Sequence, residues 1–467
     1  MTGGVAHRLS GGLRGPALWI AAGGTVWSIL VGTALAAQPQ VGLALLLAPA
    51  YAVIVLINLS LGLALWVPLT SLAGISALNL AGKAAGLLLA VAWLGSLRFL
   101  SDTAIAALHR HRLLLGTLAG TLAWITFSLA WSDDPGRGFA DLWHWYVLGL
   151  LFLVVLTTVT TARVLRLILA AFVAGAVISV AIGVFDGSLT TALNGGARFA
   201  GGAADPNFLA ASLLPATVLA AALLSEARSP VMRNLLVAAI VVLIPGLVAT
   251  SSRGGGVAAI VTIVAAFVLF KRQRAGVAGI AAVAIGVAAL TFVISPGTWD
   301  RVTTFKDDNG RADLRTVALR MGEDEPVTGV GLSNFDVHSP EYVREPGAME
   351  NVGLIVDDPH LPHNTYLQLF AEDGVVGLAL FLGLVGGCLR AAKLAADRFE
   401  AQGNSRLDTL ARAVIVATIS VLAADLSLSA ATDQGLWLLL AIAPALLTVA
   451  SRVTDAGTRP SAIEPGR

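Results

Sequence analysis

Cysteine is almost absent from this chain of 467 residues, because Cys388, inside an apolar run, is the only one. A single cysteine excludes an internal disulfide and offers no thiolate metal site. Charge is also scarce, since Asp, Glu, Lys and Arg make up 13% of the residues, whereas soluble domains have about a quarter. No internal repeat of about 20–50 residues is visible. These absences exclude an ordinary soluble globule and a disulfide-stabilised domain.

Apolar residues fill the chain instead. They make up 56% of the sequence, and the mean hydropathy is +0.81. Since about 20 residues cross a bilayer as a helix, the composition predicts an all-α polytopic membrane protein with about 12–14 transmembrane helices. Fourteen apolar runs support this prediction: 17–37, 41–57, 58–72, 82–97, 113–131, 141–160, 164–185, 206–225, 234–250, 255–270, 275–294, 364–389, 411–430 and 434–451.

A single long polar segment divides these runs. The predicted organisation is N-terminal transmembrane helices over 1–294, an extracytoplasmic loop over 295–362, C-terminal transmembrane helices over 363–451 and a cytoplasmic tail over 452–467. The stretch 311–321 places several apolar side chains on one helical face, so we expect short helices inside the loop. The first run ends in a sequence that mimics a signal-peptide cleavage site, but its length favours a retained helix.

Basic residues predict the orientation. Of the 30 lysines and arginines, 20 lie in one set of alternating connections, which includes both termini. The other set holds nine, six of them in the long loop. By the positive-inside rule, both termini are predicted to be cytoplasmic and the long loop to face outward.

Two arginines on the sparsely basic side have unusual surroundings. Arg198 lies in a glycine-rich stretch, 194–207, that leads into the next helix, and Arg253 lies between the hydroxyl residues 250–252 and three glycines. Glycines let backbone N–H groups approach a ligand, and helix N-termini favour anions. Snorkelling to lipid headgroups explains a single arginine of this kind. Two of them on one face favour a phosphate-binding site.

His363 closes the long polar loop just before the next apolar run. An imidazole at a membrane boundary is a candidate proton acceptor, and a structural hydrogen bond at the helix start is the alternative role. His360 lies three residues earlier, but two histidines without a third ligand are weak evidence for a metal. The acidic residues of the loop lack the spacing of a calcium loop and are read as a solvated surface, with a cation site as the alternative.

Four motifs occur in order around the long loop. They are Arg198–Gly201 with Asp205–Asn207, Ser252–Gly254, Arg311 through Gly331, and Leu361–Gly374 with its His363-Asn364 pair. In this order they resemble the O-antigen ligase and O-antigen polymerase superfamily of bacterial envelope enzymes. The sequence departs from the family at Leu361, where many members have histidine, and at Asp373, where a hydrophobic residue is common.

The resemblance implies a glycosyltransferase in the bacterial cytoplasmic (inner) membrane. Such enzymes move a glycan from a polyprenyl diphosphate, usually undecaprenyl diphosphate, to a sugar hydroxyl outside that membrane, as an O-antigen ligase or a polysaccharide polymerase. The implied reaction inverts the anomeric centre and needs neither a metal nor another cofactor. The implied partners are the lipid-linked donor, a glycan or lipid-glycan acceptor and membrane lipids, with no nucleic acid.

The resemblance also assigns roles to residues. His363 is the expected catalytic base, and Arg198 and Arg253 are expected to bind the donor diphosphate. The expected supporting residues are Asn364, Arg311, Ser252, Asn207 and His360.

Two alternatives remain. Some members of the superfamily glycosylate proteins, and the motifs do not separate these from ligases and polymerases. A transporter of polysaccharide or lipid-linked glycan (a flippase) is the alternative from another class. It would favour deep ionisable residues and paired halves. Asp425 is the main deep charge, and no symmetry between halves is visible.

Overall fold

The computed structural model describes residues 14–194, 197–295, 310–347 and 351–458, together with residues 299, 303 and 349. Within these ranges the regular elements are helices. The helices are α1 (Arg14–Ala37), α2 (Pro39–Ile57), α3 (Leu59–Trp66), α4 (Ser76–Ser96), α5 (Asp102–Arg110), α6 (Arg112–Ser128), α7 (Pro135–Thr158), α8 (Ala162–Phe185), α9 (Ser188–Leu193), α10 (Pro206–Glu226), α11 (Pro230–Ala249), α12 (Arg253–Leu269), α13 (Arg274–Ile294), α14 (Arg311–Asp324), α15 (Phe335–Tyr342), α16 (Val352–Asp357), α17 (Thr365–Ala401), α18 (Ser405–Ala424) and α19 (Gln434–Thr458). A 3-10 turn, Val67–Leu72, continues α3. The predicted tail beyond residue 458 and two glycines of the Arg198 stretch, 195–196, lie outside the described residues.

The apolar runs form helices. Among the described residues, nine helices are long and apolar enough to span a membrane, and five apolar helices are shorter. Together they correspond to the fourteen runs in the sequence, which confirms an all-α polytopic membrane protein. The closely spaced second and third runs are separate helices, because Asn58 interrupts the chain and its Oδ1 caps α3 by accepting a hydrogen bond from Leu61 N at 3.0 Å.

One predicted run ends early. The 411–430 run is helical only to Ala424, and residues 425–433 form a non-helical connection between α18 and α19, called the central connection below. The two flanking helices form the centre of the molecule. In α18 and α19, 78% and 83% of the most apolar stretch are buried, respectively. By contrast, no part of the apolar stretch of α13 is buried. Helix α13 therefore lies at the periphery, against α11 and α12.

Contacts between connections divide the helix assembly into two ends. At the loop end, Gly74 N donates to Gly202 O at 3.0 Å, and Asp134 N donates to Asn334 Oδ1 at 2.8 Å. These residues belong to connections that the charge pattern places on the sparsely basic side. At the opposite, basic end, Arg166 pairs with Glu226 at 2.7 Å.

The long loop folds around a small core of its own at the loop end. Its buried residues include Leu314, Val317 and Ala318, which confirms the apolar face predicted for the helix over 311–321. The loop docks on α17 where that helix is broken at Gly374, whose φ is +67°. Val330 N donates to Ala371 O at 2.9 Å on one side of the break. The long loop is therefore fixed to the membrane-spanning part of the chain.

Candidate active site

The two predicted arginine motifs meet at Asn207. Arg198 Nη2 donates to Asn207 Oδ1 at 2.7 Å, and Ser252 Oγ donates to the same oxygen at 2.8 Å. Arg198 Nε also donates to the carbonyl of Thr250 at 3.1 Å. The amide oxygen of Asn207 thus joins the stretch before α10 to the start of α12. We call Arg198, Asn207, Thr250 and Ser252 the arginine network.

The network is held in place by helix capping. Asp205 is the N-cap of α10, and its Oδ1 accepts from Asn207 N at 2.7 Å. Ser252 is the N-cap of α12, and its Oγ accepts from Gly255 N at 3.0 Å. A side-chain oxygen that satisfies a first-turn N–H is the ordinary function of such residues. The caps fix where the two helices begin, and therefore where the polar side chains between them lie.

Arg253 is the first residue of α12. The chain turns sharply before it, because Ser251 has a φ of +49°, in the left-handed region. Gly254 packs directly on the central connection, since a Cβ at this position would lie 1.9 Å from Ser427 Oγ. Only glycine fits so close an approach. The arrangement puts a half-buried guanidinium at a helix N-terminus, where the helix dipole also favours anions.

The central connection also carries the start of α17. Asp425 O accepts from Thr365 N at 2.9 Å, and Leu428 O accepts from Thr365 Oγ1 at 2.8 Å. Leu426 O accepts from Asn364 Nδ2 at 3.2 Å. The His363-Asn364 motif and the Arg253 motif therefore rest on consecutive residues of one short segment.

Asn364 has a clear structural task in addition. Its Oδ1 accepts from Tyr366 N at 3.0 Å and from Leu367 N at 3.1 Å, so it caps α17. His363, immediately before the cap, has a φ of +48°. Left-handed backbone costs free energy in a residue other than glycine, and such residues cluster at functional sites. Among the described residues only three non-glycine residues have a positive φ, and two of them, Ser251 and His363, lie in this region.

The surroundings of His363 lower its pKa below 6.5. Burial is the largest cause, followed by the positive charge of Arg311; His360 and Arg315 act in the same direction. The carboxylate of Asp205 opposes them by raising the pKa. Burial and nearby cations both disfavour the imidazolium. His363 is thus within electrostatic reach of α14 on one side and of the N-cap of α10, beside the arginine network, on the other.

Sequence reasoning missed Arg315. Its Nη2 donates to Leu426 O at 3.4 Å, the carbonyl that also accepts from Asn364. The available signal was its spacing, because Arg315 follows Arg311 by four residues and so lies on the same face of α14. That signal gains meaning only once α14 is known to dock beside His363.

His360 bonds within its own segment, and its charge acts on His363. It is about half exposed and interacts with Asp358, whose carbonyl contacts His360 Nδ1 and whose Oδ2 lies 3.5 Å from Nε2. In the part of the chain that the structure describes, no group of three or more His, Cys, Asp or Glu side chains is arranged to hold a metal ion.

An apolar cavity of about 470 Å³ opens among α10, α11, α12 and α13. Its surface is almost wholly apolar, and its lining includes Leu214, Leu247 and Ile263. Leu247 also connects the cavity to the arginine network, because its carbonyl accepts from Thr250 Oγ1 at 2.7 Å. A space for an apolar chain therefore lies one helical turn from a polar, arginine-bearing site.

The fold and these residues define a multi-pass α-helical membrane protein with a polar site at one end of the helix assembly. Residues 238–382 match the family model described as O-Antigen ligase. This match confirms the resemblance drawn from the motifs and supports a membrane glycan-processing function of the O-antigen ligase type. It includes Arg253, Arg311 and His363, whereas Arg198 precedes it. No curated protein matches the chain.

Proposed function

We propose that the protein is a membrane glycosyltransferase that moves a glycan from a polyprenyl diphosphate, such as undecaprenyl diphosphate, to a sugar hydroxyl. The observation that carries the proposal is the central connection, which supports both Asn364, next to His363, and the start of α12, next to Arg253. A base and a diphosphate site must be neighbours for this reaction. Both an O-antigen ligase and a polysaccharide polymerase perform it, and they differ in the acceptor.

His363 is the proposed catalytic base. Its neutral imidazole accepts the proton of the acceptor hydroxyl while that oxygen forms a bond to the anomeric carbon. The bond between the anomeric carbon and the diphosphate oxygen breaks, so the anomeric configuration inverts. The lowered pKa of His363 favours the neutral imidazole, which is the form that a base requires. General-base assistance of this kind contributes about 10²–10⁴-fold in rate.

Arg198 and Arg253 are the proposed ligands of the diphosphate. Negative charge grows on the leaving diphosphate during the reaction, and fixed guanidinium groups stabilise such charge. Guanidinium groups also bind phosphate oxygens in a bidentate manner. Asn207 and Ser252 hold Arg198 in position through the shared hydrogen bonds. The polyprenyl chain would enter the apolar cavity below the network.

The same proposal assigns a side of the membrane. The loop end carries few basic residues and the basic end many, so the positive-inside rule puts the loop end outside the cytoplasmic membrane. His363 and both arginines then face the side where lipid-linked glycans are transferred to their acceptors.

Replacement of His363 tests the chemistry. Purified protein in proteoliposomes receives a polyprenyl-diphosphate-linked glycan and an acceptor, and mass spectrometry follows the transferred glycan and the released polyprenyl diphosphate. We expect His363→Ala to lower the transfer rate by about 10²–10⁴-fold. The control is His109→Ala, an exposed histidine at the basic end, which should retain wild-type transfer. Transfer near the wild-type rate in His363→Ala would show that the base assignment is wrong.

A further inference from the structure

A second, much smaller pocket lies beneath the central connection, and most of its wall is apolar. Its volume is about 30 Å³, which is room for one small ion or water. Two carboxylates line it, those of Asp425 and Asp433, together with hydroxyl groups of the 3-10 turn and of α10. The hydroxyl residues are Thr70, Ser71 and Ser212. The pocket therefore joins the central connection to two elements that are distant in sequence.

Asp425 lacks the partners that a buried carboxylate needs. It is 0% exposed, and within the part of the chain that the structure describes neither of its carboxylate oxygens has a hydrogen-bond partner. Among the described residues it forms no ion pair, and neither does Asp433. Asp433 is partly satisfied, since its Oδ1 accepts from Leu436 N at 2.8 Å. Burial of an ionised carboxylate without compensation is very unfavourable, so such groups are normally paired or bound to a cation.

The three hydroxyl side chains of the pocket supply further oxygen atoms. Thr70 Oγ1 donates its proton to Val67 O at 2.8 Å, and Ser212 Oγ donates to Leu209 O at 2.8 Å. Since these protons are used within their own helical turns, the hydroxyl oxygens can only accept hydrogen bonds or ligate a cation elsewhere. An all-oxygen set of this type suits a hard cation and not a soft transition metal.

The size of the pocket selects among hard cations. Ca²⁺ takes about 6–8 oxygen ligands, and Mg²⁺ usually keeps several of its waters. The void of about 30 Å³ holds one ion without water molecules, which disfavours Mg²⁺, and the five oxygen-bearing side chains of the wall are fewer than the ligands that Ca²⁺ usually takes. We propose that this pocket binds one Na⁺ ion between the carboxylates of Asp425 and Asp433, with the hydroxyl oxygens completing its coordination.

A bound Na⁺ would fix the central connection. The backbone carbonyl of Asp425 holds the start of α17 through Thr365 N, and Ser427 packs against Gly254 at the start of α12. Occupancy of the pocket therefore stabilises the segment on which the His363 and Arg253 motifs rest. This inference does not depend on glycosyl transfer, because binding and stability report on it directly.

The test uses the full chain, purified in detergent without sodium. Thermal unfolding is measured in NaCl, KCl and choline chloride at one ionic strength. Because a ligand that binds only the folded state stabilises it by mass action, we expect the unfolding midpoint to rise by several degrees, and to saturate, with Na⁺ alone. Asp425→Asn should abolish the sodium-specific part of the shift. Asp397→Asn alters an exposed carboxylate that pairs with Lys393, and it should keep the full shift.

Direct binding of ²²Na⁺ to the wild-type chain gives a second, independent measurement. We expect saturable binding of about one ion per chain, lost in Asp425→Asn and weakened in Ser71→Ala. If Asp425→Asn does not fold, the binding isotherm of ²²Na⁺ on the wild-type chain and its weakening in Ser71→Ala still test the proposal. Equal midpoints in all three salts, or no saturable ²²Na⁺ binding, would mean that the carboxylates hold only a proton or a water, and the proposal would be wrong.

Discussion

Burial is the largest cause that lowers the pKa of His363, and nearby charged side chains act in both directions. Arg311 and Arg315 project from the same face of α14 and disfavour its protonation, whereas Asp205, from the N-cap of α10, favours it. Burial acts with the arginines. The proton affinity of the candidate base is therefore set by two parts of the chain that only the fold brings together.

The pH dependence of transfer should follow these charges. A general base works in its neutral form, which is populated above its pKa, so the acid limb of kcat/KM reports the pKa of His363. Arg311→Gln removes a cation that lowers this pKa, so the limb should move to higher pH. Asp205→Asn keeps a capping side chain but removes a carboxylate that raises the pKa, so the limb should move to lower pH.

The measurement is kcat/KM between pH 4 and 9 for wild type and both variants. Arg344→Gln is the matched control, because Arg344 is an exposed arginine of the same loop whose Nη1 donates to Pro340 O, four residues earlier. Its limb should coincide with that of the wild type. Limbs that shift in the same direction in Arg311→Gln and Asp205→Asn would contradict the electrostatic account.

At the scale of elements, helices α10 to α13 combine a polar site at one end with an apolar cavity between them. The starts of α10 and α12 carry the arginine network, and the bodies of all four helices enclose the apolar cavity. Helix α13 closes the cavity from the periphery and has no buried side chain among its own residues. A bulky residue on α13 can therefore fill the cavity without disturbing the central helices.

Neighbouring alanines of α13 give a matched pair of variants. Ala281 lines the cavity, whereas the neighbouring Ala282 is exposed and does not line it. We expect Ala281→Trp to reduce transfer from a long-chain polyprenyl donor by tenfold or more, since a tryptophan occupies the space of the chain. A donor with a short prenyl chain should be affected less. Ala282→Trp should behave as wild type with both donors, and equal effects of the two variants would count against a polyprenyl site in this cavity.

Elements were predictable from the sequence where they depend on local hydropathy. Each of the fourteen apolar runs forms helix, and the face of α14 with Leu314 and Val317 is buried as its periodicity predicts. The errors arise from tertiary contacts. The predicted run continued through residues 425–430, where polar residues alternate with apolar ones, but the carbonyls of Leu426 and Leu428 bind the start of α17 instead of continuing α18. Gly374 breaks α17 because the loop docks there.

The candidate site was predictable only in part for the same reason. Glycines, hydroxyls and a helix start around Arg198 and Arg253 signalled an anion site from local sequence. The amide of Asn207 as the link between them depends on how α10 meets α12. Arg315 and the central connection were missed because both act through contacts between elements far apart in sequence.

For the whole molecule, the charge pattern and the contacts describe the same two ends. Connections with few basic residues contact one another at the loop end, as Asp134 and Asn334 do. Connections rich in basic residues meet at the basic end, where Arg272 pairs with Glu400 at 3.5 Å. The positive-inside rule acts during insertion and takes no account of tertiary contacts. Agreement between two independent properties supports one orientation for all crossings.

Cysteine accessibility tests this orientation. The native Cys388 is 0% exposed, so it should contribute little labelling. Glu341→Cys and Ala401→Cys introduce thiols at exposed positions of the loop end and the basic end, respectively. A membrane-impermeant maleimide applied to spheroplasts should label Glu341→Cys at once and Ala401→Cys only after detergent permeabilisation. The reverse pattern would put His363 and both arginines in the cytoplasm, where an acceptor outside the membrane could not reach them.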